Sequence, residues 1–365
     1  MTINKEGRPT AGPAADGAPA RTRPAASADP LCQAYDAALL DLDGVVYLGG
    51  KAVPGAAEAL GQAAAHGMRL AYVTNNASRS PSAIAAQISG MGVPASADDV
   101  VTSAQAAARL LAGRLPAGSP VLVVGAIALR IALRERGLRP VSVAAEHPLA
   151  VVQGYTPDLN YGLLTEAALA LRAGASFVAT NVDPTLPTQR GLQPGNGSLV
   201  QVLVTSTGRR PEVAGKPQPP LHVEAVQRTG AKRPLVVGDR LDTDIEGGVR
   251  NGADSLLVLT GVSAPADAVL APPRQRPTYV ARDLDGLLAS QPEVRASGDG
   301  EFACGGWTAR LTADGGKLEV SGSGDPVDGL RALCGAVWSS DWSADRPDGA
   351  VSPEVVTSAV DGLGL

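Results

Sequence analysis

The chain has 365 residues, of which 44% are hydrophobic and 18% are charged, and its formal net charge is −5 with a pI near 5.3. This length suits two or three globular domains, and no apolar run in the sequence is long enough to span a membrane. The acidic balance argues against nucleic acid as a partner. Three widely spaced cysteines indicate no disulfide framework, which is consistent with a reducing cytoplasm.

The first predicted strand follows an N-terminal tail. Residues 1–33 are rich in Ala, Pro, Gly and Arg, and we interpret them as disordered. Residues 37–47 (AALLDLDGVVY) are apolar on both sides of Asp41, which predicts a strand buried on both faces of a parallel sheet. Since strand side chains alternate, Asp41 and Asp43 are expected on the same side, before a sharp turn at Gly44. Two crowded carboxylates repel each other, and a divalent metal between them is the simplest remedy.

The same alternation continues after this strand. A helix is predicted over 55–66, a buried strand over 68–74, and a second helix from about 80 to 90. This order indicates a doubly wound parallel sheet, in which ligands bind at the carboxyl ends of the strands. The second strand ends in three polar residues that are candidates for such a site: Thr74, Asn75 and Asn76.

A second series of helices and strands over 104–205 is long enough to form an inserted α/β domain. The first pattern then resumes, with Lys216 on a loop and a strand that ends at Asp239. We therefore predict that residues 34–103 and 206–290 complete one α/β core sheet, with the inserted domain between its halves.

Residues 291–365 differ in composition, since all three tryptophans lie there. A hairpin around Asp314, Gly315 and Gly316 and a helix over 327–340 predict a small α+β module. The module carries no motif that we can name. We interpret it as a packing or self-association module, which leaves a homo-oligomer open.

A phosphate monoester accounts for the polar residues at the core strand ends. Asp41 would attack phosphorus to form an aspartyl-phosphate, and Asp43 would protonate the leaving alkoxide and then deprotonate water. Thr74 and the backbone N–H groups of Asn75 and Asn76 would hold the phosphoryl oxygens. Lys216 would supply the compact positive charge that phosphate and the nucleophile both require.

The same reading predicts a magnesium site. Asp41, Asp239 and the backbone carbonyl of Asp43 would bind Mg²⁺, and Asp244 would order metal-bound water. Singly, each signal is equally well explained as a capping turn, a solvated lysine or an acidic surface loop. Their occurrence together, in order and at strand ends, favours the catalytic interpretation.

Four segments, DLDGVVY, VTNN, AGKP and VGDRLDTDI, resemble the four motifs of the haloacid dehalogenase (HAD) superfamily and match them without departure. The insertion after the second motif resembles subfamily IIA, which includes NagD-like, 4-nitrophenylphosphate, phosphoglycolate and glycerol 3-phosphate phosphatases. The resemblance covers roughly residues 34–290 and implies a Rossmann-like core with an α/β cap. The C-terminal module is similar to a shortened acetyltransferase-like fold, but no acetyl-CoA phosphate loop is visible, so acetyl transfer is not expected.

In the enzymes that the chain resembles, the cap closes over small substrates and excludes water. Candidate specificity contacts are the turn at 153–158 and the loop at 181–190, which includes Asp183 and Arg190. Arg190 facing the pocket would favour a second anionic group, as in phosphoglycolate. Neutral polar contacts would favour glycerol phosphate.

The predicted function is Mg²⁺-dependent hydrolysis of a small phosphorylated metabolite, either glycerol 3-phosphate or 2-phosphoglycolate. A phosphotransferase or mutase would use the same aspartyl-phosphate, but such enzymes usually carry the cap after the first motif. A non-enzymatic phospho-acceptor domain is a further alternative. Two features argue against this alternative. Asp43 is an acid/base that would promote hydrolysis of a phosphoaspartate that has to last, and a minimal phospho-acceptor domain has no place for the inserted domain.

Overall fold

The computed structural model describes residues 21–188, 190–312, 316–340 and 351–365. Within these ranges, we find no helix whose length and apolar character would allow it to cross a lipid bilayer. The predicted tail is wrong over 21–33. Ser27 exchanges backbone hydrogen bonds with Gln291, and Leu31 and Cys32 are buried, because these apolar side chains complete the packing beneath the core sheet. Residues 1–20 of the predicted tail lie outside the described residues.

The first part of the chain builds half of the core. Its elements are α1 (Leu31–Ala34), β1 (Ala37–Leu40), β2 (Tyr47–Leu48), β3 (Lys51–Ala52), α2 (Ala56–Ala65), β4 (Arg69–Thr74), α3 (Pro81–Ser89), β5 (Val100–Thr102) and α4 (Ser103–Ala112). Strand β1 is buried at every position, as its apolar run predicts. Helix α3 begins after Ser80, whose hydroxyl accepts a hydrogen bond from Ala83 N at 3.2 Å.

The inserted domain has its own parallel sheet. Its elements are β6 (Pro120–Val124), α5 (Ile127–Glu135), β7 (Arg139–Val141), β8 (Ala150–Gln153), α6 (Tyr161–Arg172), β9 (Ser176–Ala179), β10 (Thr185–Thr188), β11 (Gly191–Pro194), α7 (Asn196–Thr207) and β12 (Glu212–Val213). The strand order is β12-β9-β8-β6-β7. The predicted boundary at 205 is therefore too early, because β12 pairs with β9 at the edge of this sheet.

The Gly- and Pro-rich segment over 181–198 is more ordered than its composition indicates. Strands β10 and β11 pair in it as an antiparallel hairpin, and α7 begins at Asn196. Two glycines permit the close packing at its base. A Cβ at Gly195 would lie 2.3 Å from the Asp183 carbonyl oxygen, and one at Gly197 would lie 2.1 Å from that of Val182.

The returning chain completes the core sheet. Its elements are α8 (Pro219–Thr229), β13 (Pro234–Gly238), α9 (Glu246–Arg250), β14 (Asp254–Val258), α10 (Pro265–Val269) and β15 (Tyr279–Ala281). The six strands are parallel, in the order β15-β14-β13-β1-β4-β5. The doubly wound core is thus confirmed, and β1 lies in its interior because its residues are apolar on both faces.

The C-terminal module packs an antiparallel sheet against helices. Its elements are β16 (Arg295–Ala296), β17 (Glu301–Cys304), β18 (Trp307–Leu311), β19 (Leu318–Gly322), α11 (Pro326–Trp338) and α12 (Pro353–Asp361). Strands β18 and β19 form the predicted hairpin, but Asp314 and Gly315 at its turn lie outside the described residues. The three cysteines are buried free thiols.

One buried carboxylate ties the core to the cap. Glu224 on α8 is fully buried and receives hydrogen bonds from three arginines. Arg109 of α4 lies at 3.1 Å, Arg136 after α5 lies at 2.7 Å, and Arg228 of α8 lies at 2.8 Å. Since α5 belongs to the cap, Glu224 joins the cap to the core.

Candidate active site

Three polar residues meet at one edge of the core sheet. Strand β1 lies between β13 and β4. Asp41 follows β1, and its backbone N–H donates to Val237 O at 2.8 Å, which extends the ladder by one residue. Thr74 ends β4, and Asp239 follows β13 directly. Because neighbouring parallel strands end at the same edge, these predicted side chains converge there.

Lys216 reaches this edge from the segment between β12 and α8, and its side chain is only 4% exposed. Its Nζ donates to Asp41 Oδ1 and to Val73 O, the latter at 3.1 Å, and it lies 2.7 Å from Asp244 Oδ1. Although burial alone would lower it, the Asp244 and Asp41 carboxylates raise the pKa of Lys216 above its ordinary value. The lysine is therefore a permanent cation beside Asp41.

A cluster of carboxylates lies next to this lysine. Oxygen atoms of Asp41, Asp239 and Asp244 are all within 4.8 Å of one another. Asp239 Oδ2 accepts a hydrogen bond from Val262 N at 2.7 Å, whereas its buried Oδ1 has no hydrogen-bond partner among the described residues. Burial, together with the neighbouring carboxylates, raises the pKa of Asp239 to about 7. Crowded buried carboxylates fit a divalent cation, and Mg²⁺ prefers such oxygen ligands.

Asp244, which is predicted to order metal-bound water, is the third member of this carboxylate cluster. A π-helical turn over Leu241–Ile245 buries its side chain. Burial raises the pKa of Asp244 to about 6, and the adjacent Lys216 ammonium opposes this shift. A Cβ at Gly238 would lie 2.1 Å from Asp244 Cβ, so the chain must carry glycine there. Lys216 and Arg240 N, which donates to Asp244 Oδ2 at 3.2 Å, hold Asp244 beside Asp41 and Asp239.

Asp43 and Gly44 form the turn after β1. Asp43 is an exposed residue, but burial raises the pKa of its carboxyl group, which accepts a hydrogen bond from the Tyr47 hydroxyl at 3.3 Å. Gly44 adopts a φ of +83°, and a Cβ on it would lie 2.4 Å from Asp239 Oδ2. Only glycine fits this turn against the carboxylate cluster. Asp43 is therefore accessible to a substrate while the backbone beside it is tightly packed.

The Asn75 side chain, which is predicted to bind phosphate, makes its hydrogen bonds to other protein groups. Its Oδ1 accepts a hydrogen bond from Lys216 N at 2.8 Å, and its Nδ2 donates to Asp183 Oδ2 at 3.1 Å and to Lys216 O at 3.3 Å. The side-chain amide is thus engaged by the protein itself. The expected phosphate contact of Asn75 is left to its backbone N–H.

Thr74 and Asn76 shape the loop that follows β4. Thr74 is buried, and its Oγ1 accepts a hydrogen bond from Asn76 N at 3.1 Å. Asn76 Oδ1 accepts hydrogen bonds from Ser78 N at 2.9 Å and Arg79 N at 3.1 Å. The Asn76 side chain therefore serves as a turn-forming acceptor, which is the structural alternative raised for this motif.

The two predicted cap residues lie in different positions. Asp183 contacts the core through Asn75, and burial raises its pKa. Arg190 is exposed at the turn of the β10–β11 hairpin, where its backbone N–H donates to Thr188 Oγ1 at 3.2 Å. Asp183 is therefore joined to the site, whereas Arg190 is on the outer surface of the hairpin.

Two further side chains hold this junction: Asn181, which lies in the predicted loop at 181–190 but was not singled out, and Ser103, which sequence reasoning missed. Asn181 Nδ2 and Ser103 Oγ donate to the backbone oxygen of Asn75, at 2.8 Å and 2.7 Å. Asn181 lies two residues before Asp183, so its position in the candidate specificity loop was a usable signal. Ser103 begins α4 without any motif, and only the folded structure reveals its role.

Comparison with protein families agrees with this geometry. Models of haloacid dehalogenase-like hydrolases match residues 38–139 and 213–287. A D-glycerol 3-phosphate phosphatase from Mycobacterium tuberculosis is 47% identical over 316 residues, which are 85% of this chain and 88% of the relative. The chain belongs to the haloacid dehalogenase-like hydrolase family. It is a phosphatase of this family, as the four motifs predict.

Solved HAD phosphatases share the fold. A glycerol phosphate phosphatase from M. tuberculosis in complex with magnesium has a TM-score of 0.81 and 44% identity, covering 92% of this chain and 99% of that one. A p-nitrophenyl phosphatase from Archaeoglobus fulgidus has a TM-score of 0.64 and 30% identity, covering 70% and 98%. The predicted likeness to subfamily IIA is confirmed.

The C-terminal module matches a separate family model. A model described as a GCN5-related N-acetyltransferase like domain matches residues 304–365. This match and the antiparallel sheet agree with the predicted acetyltransferase-like fold of the module.

Proposed function

We propose that this HAD phosphatase hydrolyses glycerol 3-phosphate through an aspartyl-phosphate on Asp41. The observation that carries the proposal is the buried Lys216 ammonium in contact with Asp41 and at 2.7 Å from Asp244, beside Asp239. This arrangement combines a nucleophile, a fixed positive charge and a cation site at one sheet edge. The similarity to the M. tuberculosis enzymes supports glycerol 3-phosphate as the substrate.

In the first step, a carboxylate oxygen of Asp41 attacks phosphorus, and the bond between phosphorus and the glycerol oxygen breaks. Asp43 donates its proton to the departing oxygen, so glycerol leaves as a neutral alcohol. Lys216 neutralises charge on Asp41 and the phosphoryl oxygens as they approach each other. The products of this step are glycerol, the phosphorylated Asp41 and an ionised Asp43.

In the second step, Asp43 accepts a proton from water as the water oxygen attacks phosphorus. The bond between phosphorus and Asp41 breaks, and inorganic phosphate leaves. Asp41 is again a carboxylate and Asp43 again carries a proton, so atoms and charge balance over the cycle. The exposed position of Asp43 lets it reach both the leaving oxygen and the incoming water.

The residues that would hold Mg²⁺ are Asp41, Asp239 and the backbone carbonyl of Asp43, with Asp244 close by. When bound, Mg²⁺ supplies positive charge that offsets the repulsion between carboxylate and phosphate and stabilises the transition state. Val262 N holds Asp239 Oδ2 and leaves the other oxygen free for this role. Thr74 and the backbone of the following loop would orient the phosphoryl oxygens.

The substrate assignment is tested by phosphate release from a panel of monoesters with and without Mg²⁺. The panel contains both enantiomers of glycerol 3-phosphate, 2-phosphoglycolate, a sugar phosphate and 4-nitrophenyl phosphate. We expect one glycerol 3-phosphate enantiomer to have the highest kcat/KM, and chelation to abolish turnover. A higher kcat/KM for 2-phosphoglycolate would contradict the proposed substrate, and magnesium-independent turnover would contradict the proposed chemistry.

A further inference from the structure

We propose that the C-terminal module positions the metal-binding residues of the active site, with Trp338 as the positioning residue. The proposal rests on the metal site assigned to Asp239 under the proposed function. It gives the acetyltransferase-like module a role without any ligand of its own. Three connected observations lead from Trp338 to Asp239.

The first observation is that Trp338 holds the carboxyl end of α10. Its indole Nε1 donates to Ala268 O at 3.1 Å and to Val269 O at 3.2 Å, and the side chain is 2% exposed. The last carbonyls of a helix lack partners within the helix, and the indole supplies a donor to Val269 O there, whereas Ala268 O also accepts a hydrogen bond from Ala271 N at 3.4 Å. The Arg276 guanidinium lies 5.6 Å from the Trp338 ring centroid and donates to Trp338 O at 3.0 Å.

The second observation is that the segment entering α10 holds Asp239. Val262 N donates to Asp239 Oδ2 at 2.7 Å, and Ser263 N donates to Asp239 O at 3.1 Å. The Ser263 hydroxyl accepts a hydrogen bond from Leu241 N at 3.2 Å, at the start of the π-helical turn. Gly261 completes the wrapping, because a Cβ there would lie 2.0 Å from Asp239 Oδ2.

Helix α10 connects these two sets of contacts over a short distance. It has five residues, so its two ends are separated by only about 7 Å. A displacement at Val269 is therefore passed to Val262 with little room for the backbone to absorb it. The indole of Trp338 thus contacts the last residues of α10, and Asp239 contacts the segment directly before its first turn.

The third observation is that the module and the rear of the site share one apolar core. Leu241 and Ile245, from the π-helical turn that carries Asp244, belong to the same buried cluster as Leu330 and Leu333 of α11. Arg331 of α11 also donates to Val280 O, on edge strand β15, at 2.6 Å. The module therefore shields from solvent the apolar side chains of the turn that carries Asp244.

Hydrogen bonds to a metal-binding carboxylate fix its direction and thereby set metal affinity. Loosening α10 would let Val262 N move away from Asp239, and the carboxylate would lose its orientation. Because the loss concerns the metal ligand, it should weaken Mg²⁺ binding more than it changes chemistry at saturating Mg²⁺.

The test compares two substitutions in the same module, Trp338→Phe and Trp307→Phe. Both remove an indole N–H and keep an aromatic ring. Trp307 Nε1 is buried without a hydrogen-bond partner among the described residues, so its loss should leave α10 unchanged. Calorimetric titration of each full-length variant with Mg²⁺ alone gives the dissociation constant without any turnover.

We expect Trp338→Phe to bind Mg²⁺ about three- to tenfold more weakly than the unsubstituted protein, and Trp307→Phe to bind it equally well. Hydrogen exchange at Val262 N should accelerate only in Trp338→Phe. At saturating Mg²⁺, kcat of both variants should be close to that of the unsubstituted protein. If Trp338→Phe does not fold, the same measurements are made on Arg276→Lys. The shorter lysine side chain should lose the hydrogen bond to Trp338 O and loosen Trp338 in the same way.

Equal Mg²⁺ dissociation constants in folded Trp338→Phe and Trp307→Phe would overturn the proposal, as would unchanged exchange at Val262. The readout does not depend on which phosphomonoester is hydrolysed. A failure of the glycerol 3-phosphate assignment is therefore distinguishable from a failure of this inference.

Discussion

The Asn75 amide and the Asp183 carboxylate are joined by a hydrogen bond of 3.1 Å, which links the loop after β4 to the cap. The same amide accepts a hydrogen bond from Lys216 N at 2.8 Å. Asn181 Nδ2 adds a second cap contact, to Asn75 O at 2.8 Å. One side chain therefore connects the cap loop with the lysine that contacts Asp41, so cap position and lysine position depend on each other.

Asn75→Ala should lower kcat/KM by about ten- to a hundredfold, because it releases the Lys216 backbone and leaves the half-buried Asp183 without its donor. Asp183→Ala should cost less, since the lysine contact survives. Because both residues act through one junction, the double variant should lose less than the sum of the single losses, by about 1 kcal/mol. Steady-state kinetics on glycerol 3-phosphate measures all three.

The control for this double-mutant cycle of Asn75 and Asp183 is Arg190→Ala. Arg190 lies in the same cap loop but on the exposed hairpin turn, and we expect its kcat/KM to remain within about twofold of the original value. Strictly additive losses at Asn75 and Asp183 would mean that the two residues act independently. A large loss at Arg190 would mean that the hairpin turn contacts the substrate.

Asp41→Asn should abolish turnover and leave the fold intact, because the amide is a poor nucleophile of nearly the same shape. Asp43→Asn should behave differently with 4-nitrophenyl phosphate, whose leaving group needs no proton. We expect a burst of nitrophenolate of about one equivalent per site, then slow turnover, as phosphorylated Asp41 accumulates. Mass spectrometry of the Asp41 peptide identifies the adduct. A burst in Asp41→Asn would exclude Asp41 as the nucleophile.

Magnesium binding should weaken as the pH falls. Burial, together with neighbouring carboxylates, raises the pKa of Asp239 to about 7 and that of Asp244 to about 6. A divalent cation needs the ionised carboxylates, so protons compete with it below about pH 7. Between about pH 8 and pH 6, the Mg²⁺ dissociation constant should rise, by at most about tenfold per pH unit for each group that takes up a proton.

Calorimetry in two buffers of different ionisation enthalpy checks this prediction, since it measures the protons released on binding. Release should be largest near the pKa of Asp239 and should vanish well above it. A dissociation constant that stays the same over this range, with no proton release, would show that neither carboxylate changes protonation when Mg²⁺ binds.

Glu224→Gln should destabilise the protein by about 3 kcal/mol, because the carboxylate is fully buried and three arginine side chains lose their common partner. Denaturation with urea measures the free energy of unfolding. The matched control is Glu212→Gln, whose ion pair with Arg114 is exposed and should contribute less than about 1 kcal/mol. Equal losses in the two variants would contradict the proposed anchoring role of Glu224.

Much of the core site is predictable from local sequence. An apolar run that ends in Asp41 and Asp43 predicts a buried strand with its carboxylates at one edge, and the structure has that strand over Ala37–Leu40. The strand ends at Thr74 and Asp239 follow from the same pattern. Local patterns fail where a chain segment is stabilised by distant packing, as in residues 21–33 and the edge strand β12.

The sequence by itself determined the doubly wound core, the inserted domain and the order of the polar strand ends, since each depends on periodicity within a few neighbouring residues. Only the tertiary structure decided how the side chains are used. Asn75 holds Lys216 from 141 positions away, and Trp338 reaches Ala268 from 70 positions away. No local pattern encodes such pairs, because their energy exists only once the intervening chain has folded and removed the polar groups from water.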